Sequence, residues 1–202
     1  MNQSIETQSD PTKQKLMYGF GCAFELTKWI VVLVILVTLV HFFVATVAIV
    51  DGTSMEPNFH TGEFLVVNRW QYNFGNPARG DNVVLKFPGD PDHKKYIKRI
   101  IGMPGERVQI ADGKVYINGK KLNEPYLKNT VKTYKLDAST GTPLYNEAID
   151  MIVAPDEYFI IGDNRPNSSD SRIWGTAGKR FLIGKAEIEI WPSVKMVEKI
   201  VY

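Results

Sequence analysis

From Trp29 to Val50 the chain runs through 22 residues of Trp, Ile, Val, Leu, Phe and Ala, broken only by Thr38, His41 and Thr46 and without a charged residue. At about 1.5 Å per residue a helix of that length reaches about 33 Å, enough for the roughly 30 Å hydrocarbon core of a bilayer. The pattern predicts a transmembrane helix over 29–50. A removable secretory signal has an apolar core of about 7 to 15 residues behind a short basic leader. Here a polar tail of 28 residues precedes a longer core, so an anchor is expected. Lys13, Lys15 and Lys28 stand before the span, and Arg69 is the first positive charge after it. That bias predicts a cytoplasmic N-terminus and an outward-facing remainder.

Past Asp51 the pattern changes to short apolar runs between turn residues, with no long stretch at helical period. The runs are Glu63–Asn68, Asn82–Phe87, Tyr96–Ile101, Arg107–Ile110, Lys114–Ile117 and Glu157–Ile161. Asp112-Gly113 and Asn118-Gly119 fall between or after such runs, the two-residue signal for tight hairpins. The expected fold is mainly β: an antiparallel sheet domain over 51–202 behind one N-terminal transmembrane helix. Residues 123–149 are more polar and carry Ser139, Thr140, Gly141 and Pro143, so they read as a loop or small cap. Residues 1–28 read as a flexible tail, because Met1–Lys15 has too little apolar content to order itself.

Composition narrows the function by exclusion. Lys and Arg number 24 against 22 Asp and Glu, and a net charge of +2 gives no footprint for nucleic acid. Cys22 is the single cysteine, which excludes an internal disulfide, and His41, His60 and His93 are scattered. No metal-ligand spacing results, so neither metal nor cofactor is expected.

Three blocks carry candidate chemistry. Gly52-Thr53-Ser54-Met55-Glu56-Pro57 follows the span closely, and its serine needs an adjacent general base to act as a nucleophile. None of the three histidines comes with an orienting carboxylate motif. Lys98, within Tyr96-Ile97-Lys98-Arg99-Ile100-Ile101, is the better base, because burial disfavours the ammonium form and lets a lysine lose its proton near neutral pH. Gly162-Asp163-Asn164-Arg165-Pro166-Asn167-Ser168-Ser169-Asp170-Ser171-Arg172 is dense in hydrogen-bonding side chains, with Ser168 available to orient the lysine amine and Asp170 and Arg172 to stiffen the loop. Taken singly, the blocks also fit a turn, an edge strand with two exposed cations, and a capped surface loop.

The span, GTSMEP, RGDNVVLKFP (Arg79–Pro88), YIKRIIGMPGE (Tyr96–Glu106) and GDNRPNSSDSR, in that order, closely resemble the type I bacterial signal peptidases, peptidase family S26, and among them the smaller single-span members of Gram-positive type. The resemblance implies a signal peptidase/SOS-repressor protease-like fold. It implies Ser54 as nucleophile, Lys98 as general base, Ser168 hydrogen-bonded to the lysine, and an Asp170–Arg172 pair holding the site. It also implies cleavage of signal peptides from exported preproteins at the outer face of the bacterial plasma membrane, with small residues preferred at the first and third positions before the bond. The expected partners are preproteins and the lipid bilayer, for a monomer that binds no nucleic acid. An extended substrate would run near Thr53, Tyr96 and Ile97. One departure stands out. Some members carry a serine two residues before the nucleophile that assists the oxyanion hole, and here that position is Gly52, leaving the backbone N–H of Ser54 as the donor. The SOS-response repressors share a Ser-Lys pair but are soluble and lead with a DNA-binding module. A non-enzymatic anchored β domain is the remaining alternative.

Overall fold

Pro11 opens the first helix, a position where its missing N–H leaves no hydrogen bond unmade and its fixed φ suits the helix. Helix α1 then runs from Pro11 to Leu39, followed by a π-helical stretch over Val40–Val44. Residues Ala23–Val44 form a 22-residue stretch of mean hydropathy 2.3, long and apolar enough to cross a membrane and with none of it buried. The structure is a computed structural model that describes residues 11–86, 94–200 and 202. The tail residues 1–10, Phe87 and Pro88 of the RGDNVVLKFP block, and His93 lie outside the described residues.

Two expectations are corrected. The tail is helical from Pro11: Lys13–Met17 is a run of good helix formers that leads into the apolar stretch despite Gly19 and Gly21. The helix also ends before Val50. Residues Ala45–Ile49 form strand β1, with Thr46 and Ala48 buried and Val47 and Ile49 exposed. Thr46, Val47 and Ile49 are β-branched and suit a pleated strand, while the apolar run crosses the helix–strand junction unbroken.

The second unit, Phe43–Tyr202, holds the β domain. After β1 come β2 (Phe64–Asn68), α2 (Trp70–Phe74), β3 (Asn82–Lys86), β4 (Lys95–Gly102), β5 (Arg107–Ala111), β6 (Lys114–Ile117) and β7 (Lys120–Lys121). The remainder is β8 (Lys135–Leu136), β9 (Pro143–Leu144), β10 (Ile149–Ile152), β11 (Glu157–Ile161), α3 (Ser171–Trp174), β12 (Ala177–Gly178), β13 (Leu182–Trp191) and β14 (Lys195–Met196). The large sheet has the order β1-β2-β13-β3-β4-β11-β12, with β14 added to β13. A smaller sheet, β10-β5-β6-β7, and the hairpin β8-β9 complete the strands. Every described pairing is antiparallel.

Both predicted hairpin turns form. Asp112 and Gly113 have φ of 51° and 74°, and Asn118 and Gly119 have 50° and 77°, the positive pair that a type I′ turn requires. Strand β13 is the longest of the strands not expected from the sequence. It lies between β2 and β3 and so joins the two halves of the large sheet. Strand β4 lies between β3 and β11, and its Ile97, Ile100 and Ile101 enter three different core clusters. It is an interior strand, not the exposed edge that its two cations also allow.

Candidate active site

The nucleophile candidate sits in a loop closed at its base by the main chain: Val50 N–H donates to Glu63 O at 2.9 Å and Gly62 N–H to Val50 O at 2.9 Å. Met55 and Phe59 plug the loop into a cluster with Val50, Leu65, Ile97 and Ala186, so the residue after Ser54 is fully buried and Ser54 is half-buried at the surface. Apolar anchoring on one side of the serine fixes where its hydroxyl points.

Lys98 approaches from β4, opposite Val83 of β3, and is 2 % exposed. Its Nζ donates to Ser54 Oγ at 2.6 Å and to the Ile97 carbonyl at 3.0 Å. Burial lowers the Lys98 pKa to about 8; Asp170 and Asp163 oppose that fall and Arg172 adds to it. A neutral amine at this separation accepts the serine proton, so the pair has both the contact and the proton affinity that general-base activation needs.

The third block closes over the pair. Asp170 caps α3, accepting from Arg172 N–H at 3.2 Å, and pairs with the Arg172 guanidinium at 2.8 Å; both side chains are essentially inaccessible. Gly162 is gripped at both ends: its N–H donates to Asp170 Oδ2 at 3.0 Å and its carbonyl accepts from Arg165 Nε at 3.1 Å. Ser168 reaches the same place, and its buried hydroxyl makes no hydrogen bond among the described residues. The expected Ser168–Lys98 bond is therefore not formed. The Ile97 carbonyl holds the amine instead. His60 pairs with Glu63 at 3.1 Å rather than with Ser54.

Several supporting residues were not singled out from sequence. Arg99, one residue from Lys98, donates through Nε and Nη2 to Asp163 at 2.8 and 2.6 Å, stacks over the Tyr126 ring at 4.0 Å, and donates to Gly80 O at 3.0 Å. Asn58 donates to Asp163 as well, at 2.8 Å, which ties the serine loop to the same carboxylate. Arg165 is 1 % exposed and pairs with Glu124 at 2.5 Å, and it also hydrogen-bonds Thr133, so the 123–149 segment forms an outer wall on the loop. Arg79 pairs with Glu106, whose carboxylate also accepts from Met103 N–H at 2.8 Å; this joins the RGD block to the turn after β4. The only signal for these pairings in the sequence is charge density within the blocks.

Removing one member of a buried pair leaves an uncompensated charge. Asp163→Ala is expected to lower stability by about 3–5 kcal/mol by stranding Arg99; chemical denaturation of the purified protein measures this, and a change under about 1 kcal/mol would contradict it.

A half-exposed serine hydroxyl bonded to a buried lysine whose pKa burial lowers, on an antiparallel β domain, has the functional groups of a serine hydrolase that works without histidine. The chain belongs to the family described as signal peptidase, peptidase S26, whose pattern it matches over residues 23–191. It is 36% identical to a signal peptidase I of Bacillus licheniformis over 182 residues, covering 90% of this chain and 95% of that one. It is 40% identical to signal peptidase I S of Bacillus subtilis over 174 residues, covering 85% of this chain and 91% of that one. The chain is thus a serine peptidase of the family that removes signal peptides.

Proposed function

We infer that the protein cleaves signal peptides from exported preproteins at a bilayer surface through a Ser54–Lys98 dyad and an acyl-enzyme. The observation that carries this reading is the 2.6 Å contact between Lys98 Nζ and Ser54 Oγ, made by an amine that burial has brought to a pKa of about 8. Neutral Lys98 takes the Ser54 proton as Oγ attacks the scissile carbonyl. The ammonium then protonates the leaving amine, and water, deprotonated by the same lysine, releases the signal peptide from Ser54. Asp170, paired with Arg172, and Arg165 hold Gly162 beside the serine loop, and the Ser54 N–H faces the developing oxyanion.

A substrate in extended form would lie between the segment after β1 and the first half of β4, beyond which β11 pairs with β4 from Arg99 to Gly102. Ala48, Val50, Leu65, Val84, Tyr96 and Ile97 line a narrow cleft there, which supports a preference for small side chains before the scissile bond. Ile97 is buried at the base of this cleft, whereas Thr53 is exposed. The apolar helix supports anchoring in a membrane, and the lysines before it support placing the β domain on the outer face of the plasma membrane. Exposed Ile49, Phe64, Trp191, Val194 and Met196 support contact with lipid, since Phe64 pairs with both Ile49 and Trp191 across the sheet.

Incubating the purified protein with a synthetic preprotein and sequencing the new N-terminus tests the reading; an uncut preprotein would sink it. The pH profile follows from the lysine. Only the neutral amine is a base, so kcat/KM should fall about tenfold per unit as pH drops below about 8 and level off above it. A flat profile down to pH about 5 would contradict a lysine base.

A further inference from the structure

Both carbonyls flanking the Ser54 α-carbon accept from Asn164, and that of Thr53 also accepts from Glu56 N–H at 3.1 Å within the loop. Asn164 N–H donates to Ser54 O at 3.0 Å, and Asn164 Nδ2 donates to Thr53 O at 2.9 Å. A third bond reinforces them, from Asn167 Nδ2 to Thr53 Oγ1 at 2.7 Å. The two asparagines belong to one turn, closed by Asn167 N–H donating to Asn164 O at 3.0 Å, and it follows Asp163, which is buried and fixed by Arg99 and Asn58. The amides therefore reach out from a rigid base.

The Thr53 carbonyl and the Ser54 N–H belong to a single planar trans peptide, in which oxygen and hydrogen point in opposite directions. Fixing the carbonyl fixes the direction of the N–H. Gly52 cannot share the work: it has no hydroxyl, its φ is +97°, and its own N–H donates to Thr61 Oγ1 at 3.1 Å. The oxyanion hole thus depends on how accurately one peptide plane is held. We propose that Asn164 is a positioning residue that aims the Ser54 N–H at the developing oxyanion, with Asn167 bracing Thr53 beside it.

This rests on the acyl-transfer reading above, and the test separates the two. The full chain in detergent is assayed with a peptide ester carrying the scissile carbonyl as oxygen and, in a matched substrate, as sulfur. Sulfur accepts hydrogen bonds poorly, so the oxo-to-thiono rate ratio reports on the hole. Asn164→Ala is expected to lower kcat about 10- to 100-fold with KM unchanged, a misaimed donor costing less than a deleted one. It should shrink the oxo-to-thiono ratio by a similar factor and leave the acid limb of the pH profile in place. Asn164→Asp, of nearly the same shape but without the Nδ2 donor, should behave alike. Wild-type kcat in both variants would overturn the proposal. So would a lower kcat with an unchanged oxo-to-thiono ratio, because general disruption of the site lowers both substrates equally. A wild-type protein that cleaves neither ester would overturn the peptidase reading instead.

Discussion

Ser54→Ala and Lys98→Met each lower preprotein processing by about 10⁴-fold or more, and the double variant is no worse than either single one. The non-additivity follows from the contact. Without the amine the Oγ proton has no acceptor, and without the hydroxyl the amine has nothing to activate, so either loss removes the same step. Stability is expected to separate from activity. Methionine fills the Lys98 slot beside Val83 with a side chain of similar length and no buried charge, and Ser54 is only half-buried. Both variants should therefore unfold within about 1 kcal/mol of the wild type. The measurement is the appearance of mature product on a gel, calibrated to about 0.01% of the wild-type rate by about a 10,000-fold enzyme excess. Cleavage by Lys98→Met at even one-tenth of the wild-type rate would remove the lysine from the mechanism.

The Ser54–Lys98 contact joins two residues that the sequence marks out only in combination, through the order of the three blocks behind the apolar span, since each block taken singly also fits a plain turn or strand. Ser54 lies in a Gly-Thr-Ser-Met-Glu-Pro turn, and Lys98 lies in a strand-like run whose apolar neighbours imply desolvation. The strands around Lys98 were legible as apolar runs between turn residues, and β2, β3, β4, β5, β6 and β11 fall within a residue or two of their expected positions. Strand β1 was hidden inside a longer apolar run, since hydrophobicity does not change where the helix gives way to the strand. Strand β13 alternates Leu182, Gly184 and Ala186 inward, a pattern present in the sequence but diluted by small residues.

What the sequence could not show was which charges pair. Arg99 and Asp163 are 64 residues apart, Arg165 and Glu124 are 41 apart, and Asn164 reaches Thr53 across 111. Charge density within a block says that partners are needed but not where they come from. Ser168 illustrates the reverse failure. Its position beside the site was foreseeable from the block, yet its hydroxyl is turned toward Gly162 and leaves the amine to the Ile97 carbonyl.

That packing makes Gly162 the second position of large expected effect. A Cβ on Gly162 would lie 2.5 Å from the Ser54 carbonyl oxygen and 2.6 Å from the Ser168 Cβ, closer than real atoms approach. Neither neighbour yields easily. The Ser54 carbonyl is backbone and already accepts from Asn164, while the loop after Gly162 is pinned by Asp170 and Arg165. Gly162→Ala must therefore displace the serine main chain, and a shift of about 1 Å at a reacting group costs about 10²-fold in rate. Overpacking of this kind costs about 1–3 kcal/mol in stability, so the protein should remain folded while kcat/KM drops at least about 100-fold. Gly105→Ala serves as the control, because a Cβ there meets nothing within 4 Å although its φ of +81° adds backbone strain. It should cost stability without a matching loss of rate. Equal losses of activity in the two variants would mean that contact with the serine loop is not what makes Gly162 necessary.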